Sequence, residues 1–147
     1  MKLLVYFTMY VVRCSGTFVL FDDKTDYEDA AADCANHGGT LAMATNTTTY
    51  ETLRELFRDY QDAKWIFAAN AAWVDGIDDP TNTGITGFYC ATLGGACPAT
   101  MPWDTFSEAE PDRTSTPNCA RVKASTDLTG LRDNRCSKKF VRICNLP

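Results

Sequence analysis

The chain has little histidine and few closely spaced cysteines. His37 is the single imidazole, no C-x-x-C pair occurs, and the shortest cysteine interval runs from Cys90 to Cys97. Structural zinc sites use such pairs together with histidines, and nucleophilic serine or cysteine sites need a base beside the nucleophile. We therefore expect neither kind of site. We expect His37, which precedes Gly38-Gly39, to interact with the C-terminal end of a helix.

Positive charge and long apolar runs are also scarce. Fourteen Lys and Arg residues stand against 19 Asp and Glu, which gives a net charge of −5. That balance disfavours nucleic acid and anionic membranes as partners. The apolar run 3–12 is interrupted at Thr8, and it is about half the ~20 residues that a membrane-spanning helix requires. The sequence therefore predicts no nucleic-acid partner and no membrane span.

Cysteine, in contrast, is abundant. Seven cysteines in 147 residues, 45% of them hydrophobic, predict one disulfide-bonded extracellular domain. Lys2, the apolar run after it and the small residues of Cys14-Ser15-Gly16 are typical of a signal peptide over residues 1–16. The secreted domain is then 17–147, with six cysteines that allow fifteen pairings. The alternative is an unprocessed chain in which the run 3–12 is a first buried strand and Cys14 a free or intermolecular thiol.

Two helices are predicted first and strands afterwards. Residues 17–21 are rich in strand-forming residues and predict a first strand. Thr25 and Glu28 then form a capping box at the start of a helix, which Gly38-Gly39 ends. Thr48 with Glu51 begins a second, amphipathic helix whose pattern fades near Asp62. Strand-like runs follow at 72–77, 85–90, 119–124, 128–133 and 140–145. This order predicts an α+β fold with an antiparallel sheet in the second half and a long irregular region between Asp78 and Asn118.

Several motifs in this order resemble those of the C-type lectin-like domain. The resemblance spans about Thr17 to Pro147, and its motifs are, in chain order, Cys34 followed by G-G-T-L-A from Gly38, W-V-D-G-I from Trp73, Trp103, E-P-D from Glu110, N-C-A-R-V from Asn118, L-R-D from Leu131 with Cys136, and Ile143-Cys144. In combination these motifs are highly specific. They imply the C-type lectin-like fold, two helices packed on small antiparallel sheets with a long loop region. The family also implies disulfides Cys34–Cys144 and Cys119–Cys136, with Cys90–Cys97 as a local clip.

The family resemblance further implies where a ligand binds. In C-type lectins, an E-P-N or Q-P-D tripeptide and a W-N-D strand hold Ca²⁺, which binds two sugar hydroxyls. Glu110, Asp112 and Asp133 match three carboxylate ligand positions, and Pro111 matches the proline of the tripeptide. A hard cation of this kind prefers such oxygen ligands. Because Glu110 is typical of mannose sites and Asp112 of galactose sites, the tripeptide predicts no single sugar.

Two positions depart from the family pattern. The additional acidic ligand aligns with Pro117 or Asn118, and the asparagine of W-N-D is replaced by Arg132. A guanidinium there would repel Ca²⁺ and would itself pair with Glu110, Asp112 or Asp133. The predicted ligand-binding residues are therefore Glu110, Pro111, Asp112, Arg132 and Asp133, with Ca²⁺ as a candidate cofactor at a degraded site.

Other side chains have structural interpretations beside functional ones. A solvated acidic loop is the alternative to a ligand site for Glu108, Glu110 and Asp112, and the ligand site is favoured. Trp73 is expected in the core, whereas Trp103 is left open between core and site. Loop packing is favoured over sugar stacking for Phe88, Tyr89 and Phe106. A solvated hairpin is favoured over a polyanion site for the basic residues Arg132, Arg135, Lys138, Lys139 and Arg142.

The sequence leaves three candidate functions, and it also contains one candidate site of N-glycosylation at Asn46. Asn46-Thr47-Thr48 is a glycosylation sequon, although Asn46 alternatively serves only as a turn residue before the helix. The favoured function is non-catalytic binding of glycans or glycoconjugates. The first alternative is a calcium-independent domain that binds a protein or another surface through its long loops. A small glycosidase, which needs two suitably spaced carboxyl groups, is the least favoured.

Overall fold

The computed structural model describes residues 11–13, 16–64, 71–78, 87–104, 117–124 and 129–147. Within these ranges, helix α1 spans Tyr27–Asn36 and helix α2 spans Thr47–Lys64. The strands are β1 (Val11–Arg13), β2 (Thr17–Thr25), β3 (Thr40–Leu41), β4 (Ala72–Asp78), β5 (Phe88–Cys90), β6 (Gly95–Ala96), β7 (Asn118–Val122), β8 (Arg132–Arg135) and β9 (Phe140–Leu146). The α+β class predicted from the sequence is confirmed.

The N-cap of α1 lies one residue later than its capping box predicts, and the N-cap of α2 lies two residues earlier. The N-cap of α1 is Asp26, not Thr25, because the Asp26 carboxylate accepts a hydrogen bond from the Asp29 amide at 2.9 Å. At the start of α2, Asn46 accepts from the Thr49 amide at 2.9 Å, in place of the predicted Thr48. Both predicted capping boxes are therefore wrong, and aspartate and asparagine satisfy the first-turn donors instead.

The end of α1 is as the sequence predicts. Gly38 has a φ of +88°, a conformation that glycine adopts without the Cβ clash of other residues. The Gly38 amide donates to the Ala35 carbonyl and the Gly39 amide to the Cys34 carbonyl, each at 2.9 Å. The His37 Nδ1 lies 2.8 Å from the Asp33 carbonyl oxygen, which confirms the helix-end position expected of this side chain.

The described strands form one connected sheet that is antiparallel, as the sequence predicts, except for one parallel pair. Its order is β1-β2-β9-β4-β5-β6, with β3 also paired to β9, and with β7 bridging β4 and β8. The pair β4–β9 is parallel, with Trp73 opposite Arg142. The long region between Asp78 and Asn118 also contains the short hairpin β5–β6, with Tyr89 opposite Ala96.

Two apolar clusters hold the helices to the sheet. One contains the buried face of α2, with Tyr50, Leu53, Phe57 and Tyr60, against Leu20, Val74 and Ile143. The other contains Tyr27, Ala30 and Cys34 of α1 against Trp73 and Phe140. Trp73 is fully buried, and its indole N–H donates to the Thr25 carbonyl at 3.0 Å. The core position expected of Trp73 is confirmed.

Three disulfides link the elements, and they are the three that the family resemblance implies. They are Cys34–Cys144 between α1 and β9, Cys119–Cys136 between β7 and the turn after β8, and Cys90–Cys97 across the β5–β6 hairpin. Their chain separations are 110, 17 and 7 residues, respectively.

The N-terminal predictions fall mostly on residues outside the described ranges. Residues 1–10, together with Cys14 and Ser15, lie outside them, so the signal peptide over 1–16 and the domain boundary at 17 stay predictions. Residues 11–13 pair antiparallel with β2, Val11 lying opposite Val19. In the described part of the chain, neither helix combines the length and the apolar character needed to cross a bilayer.

Candidate functional site

The predicted site residues divide between described and undescribed parts of the chain. Glu110, Pro111 and Asp112 lie outside the described residues, as do Glu108 and Phe106. Arg132 and Asp133 are the first two residues of β8, next to β7. The described part of the site is therefore the end of the β7–β8 ribbon.

Arg132 lies against a carboxylate that the sequence did not single out. Its Nη1 is 3.8 Å from Oδ2 of Asp104, which is fully buried. The other carboxylate oxygen, Oδ1, accepts from the Thr129 amide at 3.0 Å and from the Thr129 hydroxyl at 2.9 Å. Asp104 therefore forms an ion pair with Arg132, and it is a partner different from the three acidic residues that the sequence suggested.

The backbone around Asp104 determines where its carboxylate points. The Asp104 amide donates to the Leu131 carbonyl at 2.8 Å, and the Leu131 amide donates to the Pro102 carbonyl at 2.7 Å. Gly130 makes this approach sterically feasible, because a Cβ at that position would lie 2.5 Å from the Pro102 carbonyl oxygen. The two chain segments thus pack backbone to backbone, and Asp104 and Arg132 are brought together although 28 positions separate them in the sequence.

Asp133 lies on the other face of the ribbon from Arg132. It is 5% exposed and pairs in register with Ala120, which is itself buried in the larger apolar cluster. Arg132, in contrast, pairs with Arg121. Successive side chains of a strand point to opposite faces. Arg132 therefore presents a cation on one face of the ribbon, and Asp133 presents a buried carboxylate on the other.

A group of cations lies on the Arg132 face. Arg121 and Arg132 are register partners, and Lys123 follows Arg121 by two positions. Partial burial, together with the charges of Arg121 and Arg132, lowers the pKa of the Lys123 ammonium. A lowered pKa means that positive charge is disfavoured at this position. Arg121, Lys123 and Arg132 therefore bring three cationic side chains to this end of the ribbon.

The described residues do not fit Ca²⁺. Among them, no three His, Cys, Asp or Glu side chains converge as a metal site. Arg132 brings a fixed cation to the position of an amide ligand, whereas Ca²⁺ needs six to eight oxygen ligands. Pro117, where the sequence pattern loses a further acidic ligand, is exposed and directly precedes β7.

The aromatic residues considered for sugar stacking have different environments. Phe88 is fully buried, and its ring centroid lies 4.9 Å from that of the half-buried Trp103. Trp103 also forms a bridge with Leu131 and packs against the larger cluster. The packing role favoured for Phe88 is confirmed, and Trp103 is a partly buried residue at the edge of the core. Tyr89 points outwards with 36% of its surface exposed.

The solvated positions predicted for the basic hairpin are confirmed at three residues, whereas Arg132 is partly buried beside Asp104 and Arg142 is buried. Arg135, Lys138 and Lys139 are exposed. Arg142 is only 4% exposed, and its guanidinium contacts the Asp33 carboxylate at 2.6 Å and the Asp23 carboxylate at 2.9 Å. A solvated position for Arg142 is therefore wrong, because β9 lies inside the sheet and the side chain is buried against α1 and β2.

Asn46 is exposed and caps α2 through its Oδ1. Because an N-linked glycan is attached at Nδ2, the cap and the predicted modification use different atoms of the same side chain. Glycosylation at Asn46 stays a prediction.

The fold and these motifs correspond to a known family. The Lectin C-type domain matches residues 23–146, so the chain belongs to the C-type lectin domain family. It is similar to human tetranectin, with 27% identity over 135 residues, which cover 86% of this chain and 57% of tetranectin. The chain thus spans a little over half the length of that curated relative.

Solved structures with the same fold carry different names. CEL-IV superposes with a TM-score of 0.73 at 18% identity, covering 93% of this chain and 91% of CEL-IV. The herring type II antifreeze protein superposes with a TM-score of 0.67 at 19% identity, covering 93% of this chain and 95% of that structure. These likenesses establish the fold alone.

Proposed function

We propose that the domain is a non-catalytic carbohydrate-binding module of an extracellular protein. The binding face is the Arg132 end of the β7–β8 ribbon together with the E-P-D segment, Glu110, Pro111 and Asp112, of the long loop region. Family membership and the three disulfides, which persist in oxidising compartments, support the module and its extracellular location.

The observation that carries the proposal is the ion pair between Arg132 and the buried Asp104 carboxylate. A guanidinium presents several N–H donors in a fixed plane, and carboxylates accept hydrogen bonds from hydroxyls. Sugar hydroxyls both donate and accept, so the Arg132 guanidinium, together with the carboxylates of Glu110 and Asp112 that the family pattern assigns to the same site, is suited to bind a glycan directly. We infer that binding is calcium-independent, because Arg132 supplies the positive charge that Ca²⁺ supplies elsewhere in the family.

Glycan binding in the presence and absence of calcium tests this proposal. The oxidised protein is screened on immobilised glycans in millimolar Ca²⁺ and in excess EDTA. The hits are then titrated with Asp112→Asn, Arg132→Asn and the control Lys138→Asn, which changes an exposed cation of the β8–β9 turn. We expect equal binding in both buffers, a loss of about tenfold or more in the first two variants, and no change in the control.

Thermal unfolding separates the calcium question from the glycan question. A ligand that binds only the native state stabilises it by about 2.7 kcal/mol at a hundredfold excess over its Kd. We expect superimposed melts in Ca²⁺ and EDTA for the native sequence. A calcium-dependent rise of several degrees would contradict calcium independence, whereas glycan binding would still be decided by the screen.

The second candidate function is calcium-independent recognition of a protein. It is favoured by the same Arg132 side chain, because a guanidinium binds a carboxylate of a protein partner as well as it binds sugar hydroxyls. Silence on the glycan screen together with specific capture of one extracellular protein, lost in Arg132→Asn, would replace the carbohydrate proposal with this one.

A further inference from the structure

A second concave site lies at the opposite end of β8 from Arg132. It is a cavity of about 660 Å³ between α1, the edge of the sheet and the turn after β8. Its apolar lining includes Ala31, Leu41, Ile77 and the exposed Tyr89. This volume lies within the range of small-molecule sites, which are mostly apolar with a few convergent polar groups.

The walls of the cavity are fixed by covalent and hydrogen bonds. The Cys119–Cys136 disulfide holds the turn after β8, and the Cys136 carbonyl accepts from the Tyr27 amide at 3.0 Å. On the other side, the hydroxyls of Thr40 and Thr92 lie 3.0 Å apart, which joins β3 to the turn after β5. A cavity fixed in this way needs little reorganisation to take a ligand.

The polar lining of the cavity is mainly acidic. Three carboxylates line it, those of Asp26, Glu28 and Asp75, against the single guanidinium of Arg135. Asp75 is 1% exposed, and its two oxygens accept from the Ala91 amide at 3.0 Å and the Thr92 amide at 2.8 Å. Burial nevertheless raises the pKa of the Asp75 carboxyl. A nearby cation would therefore be favourable for this carboxylate.

Two aromatic residues also line the cavity. The Tyr27 and Tyr89 side chains both line the cavity, and the Tyr27 hydroxyl accepts from the Gly76 amide at 2.9 Å. Tyrosine faces attract ammonium groups, quaternary ones in particular. An apolar floor, two tyrosines and an excess of carboxylates together define the chemistry of the occupant.

We propose that this cavity binds a small amphiphilic cation, an apolar body of drug-like size that carries one amine or quaternary ammonium group. The apolar body lies over Ala31, Leu41 and Ile77, and the cationic group lies near Asp75 and Tyr89. This site is separate from the glycan face, and its occupation depends on neither calcium nor Arg132.

A pair of probes with equal chains and opposite charge tests the proposal. Octyltrimethylammonium and octanesulfonate are titrated calorimetrically into the oxidised protein below their micelle concentrations. We expect saturable one-to-one binding of the cation, about tenfold or more tighter than that of the sulfonate. Equal affinities, or binding of the cation without saturation, would overturn the proposal.

Variants locate the bound probe. Ala31→Trp fills the cavity from α1 and should abolish binding, whereas Ala32→Trp adds the same bulk at the next, exposed position of the helix and should leave binding unchanged. Glu28→Gln should weaken the binding of the cationic probe about threefold. If Ala31→Trp does not fold, Tyr89→Ala replaces it. Unchanged binding in a folded cavity variant would place the probe elsewhere and refute the site.

Discussion

Asp75 shows how a single buried carboxylate organises the sheet edge. Its oxygens hold the amides of Ala91 and Thr92, so that the turn after β5 stays against β4. Desolvation raises the pKa of this carboxyl from 3.8, and the hydrogen bonds from Thr92 and Ala91 only partly oppose that effect. The folded protein therefore binds a proton here at a pH where the unfolded chain has lost it.

This shift predicts a specific pH dependence of stability. Because the folded pKa is the higher one, the contribution of Asp75 to the free energy of unfolding is largest below pH 3.8 and falls as the pH rises through the folded pKa. Chemical unfolding of the wild type and of Asp75→Asn across this window measures it. The variant should be less stable, since its amide cannot accept both hydrogen bonds, and the stability difference between the two proteins should depend on pH. A constant difference would show that Asp75 has the same pKa in both states.

At the site, sequence reasoning finds residues that belong to a motif and misses residues that do not. Arg132 was predicted because it replaces a family asparagine. Asp104 was missed because its role comes from a contact across 28 positions. The only available signal was its place directly after Trp103, one of the family's motif residues.

The helix caps show another limit of prediction from sequence: the start of each helix is predicted approximately, but the residue that caps it is not. The sequence contains a capping box at both helix starts, yet Asp26 and Asn46 cap the helices instead. A side chain that can cap is easily recognised, but which of several adjacent ones adopts the extended N-cap backbone depends on how the preceding strand or loop enters the helix.

The Asn46 cap gives a prediction for helix α2. Asn46→Ala should lower the free energy of unfolding by about 1 kcal/mol, because the Thr49 amide and hydroxyl lose their acceptor. Asn46→Asp keeps an acceptor and should be near neutral, and Thr48→Ala removes the sequon but leaves the cap. Urea unfolding of unglycosylated protein measures all three. An equal loss in Asn46→Ala and Asn46→Asp would argue against capping.

Arg142 joins three elements, and its removal should be costly. Its guanidinium binds Asp33 of α1 and Asp23 of β2 from within β9, and it lies 5.2 Å from the centroid of the Phe21 ring. Arg142→Ala should destabilise the protein by about 3 kcal/mol, the low end for a broken buried pair, because both aspartates keep some access to water. Urea unfolding should show almost no effect in the control, Arg135→Ala, whose side chain is exposed.

At the scale of the whole molecule, the family motifs predicted more than periodicity did. Residue patterns gave the two helices and the approximate strand runs, and the family resemblance gave the three disulfide pairs. The parallel pairing of β4 with β9 was not predicted, because a strand's own pattern does not reveal which distant strand lies beside it or in which direction.

The disulfides give a prediction about global stability. In the chain-entropy model, stabilisation grows with the length of the closed loop, to about 5 kcal/mol for the 110-residue link and about 2 kcal/mol for the 7-residue clip. The double variant Cys34→Ala with Cys144→Ala should therefore lose about 2 to 3 kcal/mol more than Cys90→Ala with Cys97→Ala. All four cysteines are buried, so the truncations are comparable in urea unfolding. Equal losses would contradict the entropic account.

The pairing of β2 with β9 has a mechanical consequence. Thr17 lies opposite Leu146 and Val19 opposite Cys144, so the two ends of the domain leave it side by side. Tension applied to both ends would separate these strands one rung at a time and would soon reach the cross-link from Cys144 to Cys34. From there the load would follow the covalent bridge and bypass the residues between the two cysteines. Arg132 and the β7–β8 ribbon, which lie between the two cysteines, would keep their shape under tension, whereas the segment from β2 to Asp33 would still carry the load.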